Sequence, residues 1–427
     1  MRWTSSDCTL EEPDASGSFL LHCYSLSKKR CAARFKTFLL FKTQIKGILL
    51  WGGVLMKLLK VTARNFKNCA DNVTIDFVAK SRKTSEDKEY ELQEIAEDLY
   101  VYTTAAFAGK NASGKTTAIQ LLDCCYSILG EFCLENKTYS YNNINLDMYF
   151  YHEGYIYRYR ALMAQGNTVT NKAVFVNQEL FKKKYMKTKL KEIYLDKGFE
   201  LQDNLGELPE DTSIVFFVLR NKATRAMYYT CDGEGRDTYG HLFMVLKKYG
   251  IDDTILERIL KLFDENIHRL TMIDEHNYEL ELKSGTCRIS DAELVHRLSS
   301  GTTKGILLYI IMVASLKNGF DLIIDEIENH FHKTLVENMI SLYKDKTVNR
   351  NNATLIFTTH YCELLDTFNR QDNIWITRAD DSIYFDNLYE EYNIRHELLK
   401  SRQFYSNTFG TAVSYNRLMD LKKELIK

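Results

Sequence analysis

The stretch Gly109-Lys110-Asn111-Ala112-Ser113-Gly114-Lys115-Thr116 constrains this chain most, because it reads G-x-x-x-x-G-K-T. Glycines at its two ends let the backbone curl tightly with amides pointing inward, a cradle for phosphate oxygens. Such a loop works between a strand and a helix. Tyr102 to Ala108 leads in as an apolar strand, and Thr117 to Leu129 leads out with Ile119, Leu122 and Tyr126 at helical spacing. All eight loop residues and Thr117 are therefore candidate nucleotide-binding positions. Lys115 is expected at the β and γ phosphates of ATP, and Thr116 is expected to ligate Mg2+ through its hydroxyl. The helix adds its positive N-terminal end.

Three further segments follow in an order that suits such a loop. Asp321-Leu322-Ile323-Ile324-Asp325-Glu326 is a short apolar strand with acidic ends. Asp325 is expected to hold Mg2+, directly or through water, and Glu326 to polarise or position an attacking water. His360 follows the apolar run Leu355-Ile356-Phe357 and the pair Thr358-Thr359, placed to bond a γ-phosphate and sense its loss. Ser299, Ser300 and Gly301 precede an apolar helix beginning near Ile306, which makes a second anion-binding helix terminus. Lys115, Glu326 and His360 are the candidate catalytic residues.

Composition narrows the class. In 427 residues, 56 Lys and Arg against 57 Asp and Glu leave a net charge of −1, so the chain has no overall basic excess of the nucleic-acid-binding kind, although a local basic groove stays open. No 18-residue uncharged apolar run occurs, and neither a membrane nor a membrane span is expected. The 10 cysteines are scattered without a C-x-x-C pair, as in reduced cytoplasmic proteins. Cytoplasmic localisation is the expectation.

Four regions are expected along the chain. Residues 1–55 differ from the rest, running from a polar start through Lys28-Lys29-Arg30 to Ile48-Leu49-Leu50-Trp51-Gly52-Gly53. They make a poor secretory signal, and Met56 reads as the true start; the alternative is a flexible or partner-binding extension. Residues 56–130 form the N-terminal half with the phosphate loop. Its strands 57–66 and 73–77 suggest an antiparallel pair, followed by a charge-rich loop or short surface helix over 80–98. Residues 131–290 read as an inserted, mainly helical lobe. This lobe opens with strands near 144–150, 155–160 and 174–176 and a His152-Glu153-Gly154 turn. It continues with a basic helical stretch over 179–197 and a helix face of Ile255, Ile259, Leu262 and Phe263. Residues 291–427 form the C-terminal half, where helices at 304–317 and 332–344 alternate with strands at 321–325 and 354–358. Strand–helix alternation calls for a mostly parallel central sheet.

Other clusters have plainer readings. Lys182-Lys183-Lys184, Lys187, Lys189 and Lys191, with Tyr185 and Tyr194 interleaved, suit either a DNA or RNA backbone or a solvated face. Arg158 and Arg160 alternating with Tyr157 and Tyr159 suit a half-exposed strand. His330 and His332 beside Glu328 fit a dimer interface or a second layer around the acidic pair better than a metal site.

These motifs resemble the AAA/ABC-like ATPases related to RecF and SMC heads, and above all the standalone bacterial type found in abortive-infection and phage-defence loci. The resemblance rests on Leu58 to Asn68, Leu298-Ser299-Ser300-Gly301-Thr302, Asp325-Glu326-Ile327-Glu328 with His332, Thr358-Thr359-His360 with Glu363-Leu364-Leu365, and Phe409-Gly410-Thr411-Ala412. It covers 57–415 in outline and is weak over 130–290. It implies an α/β P-loop NTPase with an ABC/SMC-head-like architecture. It also implies ATP hydrolysis at composite sites, Ser299, Ser300 and Gly301 reaching the γ-phosphate on the other copy of a homodimer or higher homo-oligomer. In that family the cycle gates an effector, often a nuclease or toprim-like partner, or a nucleic-acid contact. The alternatives are a RecF-like DNA-repair ATPase and a nearly inactive ATP-dependent assembly scaffold. Gln178 is a weak candidate for a glutamine switch, and no long heptad arm is present.

Overall fold

The computed structural model describes residues 56–426 apart from 132–133, 135–138, 167–171, 203–207, 220–225, 230–237, 275, 299, 330–331, 396–397 and 412–414. The expected extension at 1–55 and the two residues His330 and Ser299 lie outside the described residues.

Six short strands make the central sheet, in the order Ala226–Tyr229, Asp321–Ile324, Leu355–Thr359, Thr104–Ala108, Ile374–Ala379 and Ile383–Asn387. All pairings are parallel except the last. The three middle strands are buried throughout, which is why they read as unbroken apolar runs. Their alternate side chains part to opposite faces. Ala105, Phe107, Ile323, Ile356 and Trp375 join a core with the helix Lys115–Gly130 and a second sheet. Ala106, Ala108, Leu322, Ile324, Leu355 and Phe357 join another with the helices Ser300–Asn318 and Lys333–Lys344.

The second sheet is antiparallel, in the order Val73–Asp76, Lys57–Arg64, Ile144–His152, Tyr155–Gln165, Ala173–Lys184 and Glu200–Leu201. The helix Lys115–Gly130 therefore has apolar neighbours on most sides, and 13 of its residues are buried. Trp375 sits between the layers, stacked on Phe107 with ring centroids 5.1 Å apart and edge-on to Phe77 at 5.7 Å. One buried ion pair ties the layers together. Lys57 Nζ donates to Asp321 Oδ1 at 2.6 Å and to the Thr354 hydroxyl at 3.1 Å, while the Tyr126 hydroxyl donates to Asp321 Oδ2 at 2.8 Å. Four elements meet at that carboxylate.

The interval 131–290 mixes strands and helices. Its first three long strands complete the antiparallel sheet. Its later part forms the three-stranded meander Ile267–Met272, Asn277–Leu282 and Gly285–Ser290 beside the helices Thr238–Tyr249 and Asp253–Phe263. These pack on the helix Ser300–Asn318, with Tyr239 Oη 2.8 Å from the Thr303 hydroxyl and Phe263 edge-on to Tyr309. Among the described residues no helix is long and apolar enough to cross a membrane.

Three local expectations are corrected. The basic stretch beginning at 179 is strand through Lys184 and then the short, kinked 3-10 segment Lys187–Glu192. Cross-strand partners decided this: Lys182 lies 3.9 Å over the Tyr155 ring, and Lys183 Nζ donates to the carbonyls of Glu192 and Leu195. Tyr102 and Ala108 belong to separate strands, Leu99–Tyr102 and Thr104–Ala108, because Thr103 turns its N–H to the Glu91 carbonyl. In the helix Asp253–Phe263 the buried face is Leu256, Ile259 and Leu260, and Leu262 is 47% exposed. Ile255, Ile259 and Phe263 of the expected face do meet the core, and Leu256 and Leu260 take the place of Leu262.

Replacing Lys57 by Ala should leave the Asp321 carboxylate buried without its cation. The expected loss is about 3 kcal/mol of unfolding free energy, read from the midpoint of a urea titration. A loss below about 1 kcal/mol would show that the Tyr126 hydroxyl and the Thr354 N–H alone satisfy Asp321.

Candidate functional site

The site lies where three parallel strands end. Phe357 pairs with Ile324 on one side and Ala106 on the other, and Thr359 pairs with Ala108. This register brings the loop after Ala108, the acidic pair after Ile324 and His360 after Thr359 to one edge of the sheet, the usual ligand-binding edge of parallel α/β sheets.

The loop's glycines have steric causes. A Cβ on Gly109 would overlap the hydroxyls of Ser113 and Thr377 and lie 2.7 Å from the Thr377 carbonyl oxygen. Gly114, at φ +98, is the N-cap of the helix Lys115–Gly130, and a Cβ there would strike the Ile383 side chain. Ser113 Oγ is 2.6 Å from Thr377 Oγ1, which pins the loop to the neighbouring strand. Ala112 occupies the exposed tip at φ 59. No side chain caps the helix and its first turn carries no acid. The first-turn amides of Lys115, Thr116 and Thr117 are thus open to an anion.

Around the loop, hydrogen bonds link the predicted residues. Thr116 Oγ1 donates to Asp325 Oδ2 at 2.8 Å. Thr358 Oγ1 donates to Asp325 Oδ1 at 2.6 Å and accepts the Glu326 backbone N–H at 2.6 Å. Glu326 adopts φ 51, a conformation costing roughly 1 kcal/mol for a residue with a Cβ. That turn is held by the Ile327 N–H on the Thr358 carbonyl at 3.1 Å and by Asn329, whose side-chain amide donates to Glu326 Oε2.

Lys115 Nζ donates to the carbonyls of Gly109 and Lys110, each at 3.0 Å, and lies 3.3 Å from His360 Nδ1. An ammonium only donates, so Nδ1 is the acceptor and the ring proton is assigned to Nε2. That nitrogen faces Glu326 Oε1 at 3.3 Å. His360 therefore bridges the phosphate-loop lysine and the acidic residue. Burial draws the Lys115 pKa below its ordinary value, outweighing the opposing pull of Glu326, Glu328 and Asp325. Cys362, two residues past His360, is buried and its thiol is pushed up to about 12, so it is no nucleophile at neutral pH.

An oxygen-only pair of Thr116 hydroxyl and Asp325 carboxylate, 2.8 Å apart at the mouth of an uncapped helix, suits a hard divalent cation such as Mg2+ beside a polyphosphate. The donor set and the Cβ-free cradle at Gly109 thus fit ATP with Mg2+.

Some expected residues stand elsewhere. Gly301 lies in the first turn of the helix Ser300–Asn318; nothing is described of the Ser300 side chain. Gln178 is bound inside the antiparallel sheet region, accepting from Tyr159 Oη at 2.7 Å and the Ile214 N–H at 3.0 Å and donating to the Thr212 carbonyl at 2.8 Å. Those bonds give it a structural role. His332 is the N-cap of the helix Lys333–Lys344, and no metal-binding cluster occurs among the described residues. Arg158 makes a bidentate pair with Asp147 at 2.9 and 2.5 Å, and Lys187 pairs with Glu97 and Asp98 at 2.9 Å each. Thr377 and Asn329 were not legible as site residues. They become visible only through their partners Ser113 and Glu326.

No protein-family model and no curated protein matches the chain. Among solved structures it is similar to the SMC head domain from Thermotoga maritima, at 10% identity and a TM-score of 0.38. It is also similar to an SMC head bound to the C-winged helix domain of ScpA, at 11% and 0.41, and to the recombination mediator RecF with ATP, at 10% and 0.32. Each alignment covers 78% of this chain and 98% of the other. The fold class rests on the strand order and the loop described above. It is an α/β P-loop NTPase-like fold with mixed sheet and helical lobes.

Replacing Thr358 by Val should remove the hydroxyl that serves both Asp325 and Glu326. The expected loss is about 2 kcal/mol of stability in nucleotide-free protein, measured by chemical denaturation. An unchanged midpoint would mean that the turn after Ile324 does not rely on that hydroxyl.

Proposed function

We propose that this chain binds ATP with Mg2+ and hydrolyses it to ADP and phosphate. The bond from Thr116 to Asp325 carries the reading, because it joins the phosphate loop to the acidic strand at the one place where a phosphate-bound cation belongs. Mg2+ bound there would neutralise phosphate charge and polarise the reacting phosphoryl group. Lys115 exchanges the loop carbonyls for phosphate oxygens. The uncapped amides of Lys115, Thr116 and Thr117 complete the cradle. Glu326 orients a water and accepts its proton, while His360 Nε2–H steers the Glu326 carboxylate and Nδ1 tracks where the Lys115 ammonium lies.

The finer reading has two copies closing on composite sites, with Ser299, Ser300 and Gly301 of one copy at the nucleotide of the other. That closure would gate an effector such as a nuclease or toprim-like partner, or a DNA or RNA contact, in anti-phage defence. Its support is the sequence resemblance together with the placement of Gly301 at the start of a long buried helix.

Glu326→Gln should lower turnover by about 100-fold or more while ATP binding persists. The same variant with ATP and Mg2+ should double its mass by light scattering. Turnover equal to wild type would remove Glu326 from the chemistry. A monomer under every nucleotide condition would remove the composite site. Stimulation by DNA would favour nucleic acid as the gated partner, and indifference would favour a protein.

A further inference from the structure

Glu328 stands out among the acids around Lys115. Whereas Glu326 two residues earlier is half-buried, Glu328 is buried. Its Oε1 accepts the backbone N–H of His360. Its Oε2 is buried and has no hydrogen-bond partner among the described residues. A buried carboxylate oxygen without a donor works against folding, and an apolar side chain of the same length would fill the space without that penalty. Among the described residues, the one side-chain hydrogen bond of Glu328 runs to the residue whose ring spans Lys115 and Glu326.

We infer that Glu328 is a positioning residue: by accepting the His360 N–H it sets where the imidazole stands between Lys115 and Glu326. The covalent connections make this direct. Glu328 follows Glu326 through Ile327, which is fully buried and bonded to the Thr358 carbonyl. His360 follows Thr358 through Thr359, which is also fully buried. Besides the Ile327 bond and the His360–Glu326 contact, two side-chain joints link the strand ends: the first is Thr358 reaching to Asp325 and Glu326, and the second is Glu328 reaching back to His360. The first joint fixes the carboxylates and the second fixes the imidazole. Without the second, the backbone at residue 360 loses the contact on its own N–H, leaving the Tyr361 N–H on Thr359 Oγ1 and the Cys362 thiol on the His360 carbonyl to hold the turn, and a small error there displaces the ring from both partners.

The inference rests on the ATPase reading for its catalytic consequence but not for its structural one, so two readouts are needed. The variants are Glu328→Met, which keeps the length and loses the acceptor, and Glu328→Gln, which keeps an acceptor oxygen and loses the charge. Thermal melts confirm that both fold. In 15N-histidine-labelled protein, with the His360 signal assigned through His360→Ala, Met should shift or broaden that signal and Gln should leave it in place. In turnover, Met should lower kcat by about 10- to 100-fold with little change in KM, and Gln should stay within about threefold of wild type. Adding Glu328→Met to His360→Ala should then cost no more than about twofold further, because the two act as one unit. An undisturbed His360 signal in Glu328→Met would overturn the inference, as would Gln behaving like Met or full additivity with His360→Ala. If wild type shows no turnover, the ATPase reading falls, and the His360 signal alone decides the role of Glu328. If Met fails to fold while Gln folds with a displaced His360 signal, the acceptor role is refuted.

Discussion

The site depends on strand register. Phe357 lies level with Ile324 and Ala106, so three chain segments end together, one of them more than 200 residues before the other two in sequence. A shift of one residue in the strand Leu355–Thr359 would turn Thr358 away from Asp325 and exchange which side chains face each core. Buried parallel strands resist that shift because both faces are packed. Phe357 serves the helices Ser300–Asn318 and Lys333–Lys344, whereas Ile356 serves the phosphate-loop helix and the second sheet.

Thr358 converts register into chemistry. Its hydroxyl donates to the residue expected to hold the cation and accepts from the residue expected to hold the water. Glu326 is thereby kept in a left-handed conformation that no strand would continue, and this turn swings its carboxylate toward His360. At the opposite end of the strand Asp321–Ile324, Asp321 is gripped by Lys57 and Tyr126. One short strand is thus held at its start by the antiparallel sheet and at its end by the phosphate loop.

The motifs were legible because each couples a residue type to a chemical demand within a few positions. G-x-x-x-x-G-K-T needs its glycines for the reasons seen at Gly109 and Gly114. The acidic pair after Leu322-Ile323-Ile324 and the histidine after Leu355-Ile356-Phe357 were read from apolar runs short enough to be strands. The lysine run 182–184 was misjudged because charge says little about helix or strand, and the tyrosine and phenylalanine rings it covers lie on other strands or loops. Leu262 in the helix Asp253–Phe263 was misjudged because several apolar residues offered two overlapping faces, and packing chose Leu256 and Leu260 instead.

The sequence alone determined the phosphate-loop pattern, which acids and which histidine are expected to accompany it, and that the core sheet is mostly parallel, since these follow from local residue chemistry and spacing. Only the tertiary structure decided that His360 bridges Lys115 and Glu326, that Thr377 closes the loop, and that Glu328 is buried with one oxygen on the His360 N–H. Each of those contacts joins residues far apart in the chain. Their geometry comes from strand order and register, and no local pattern of residues encodes it.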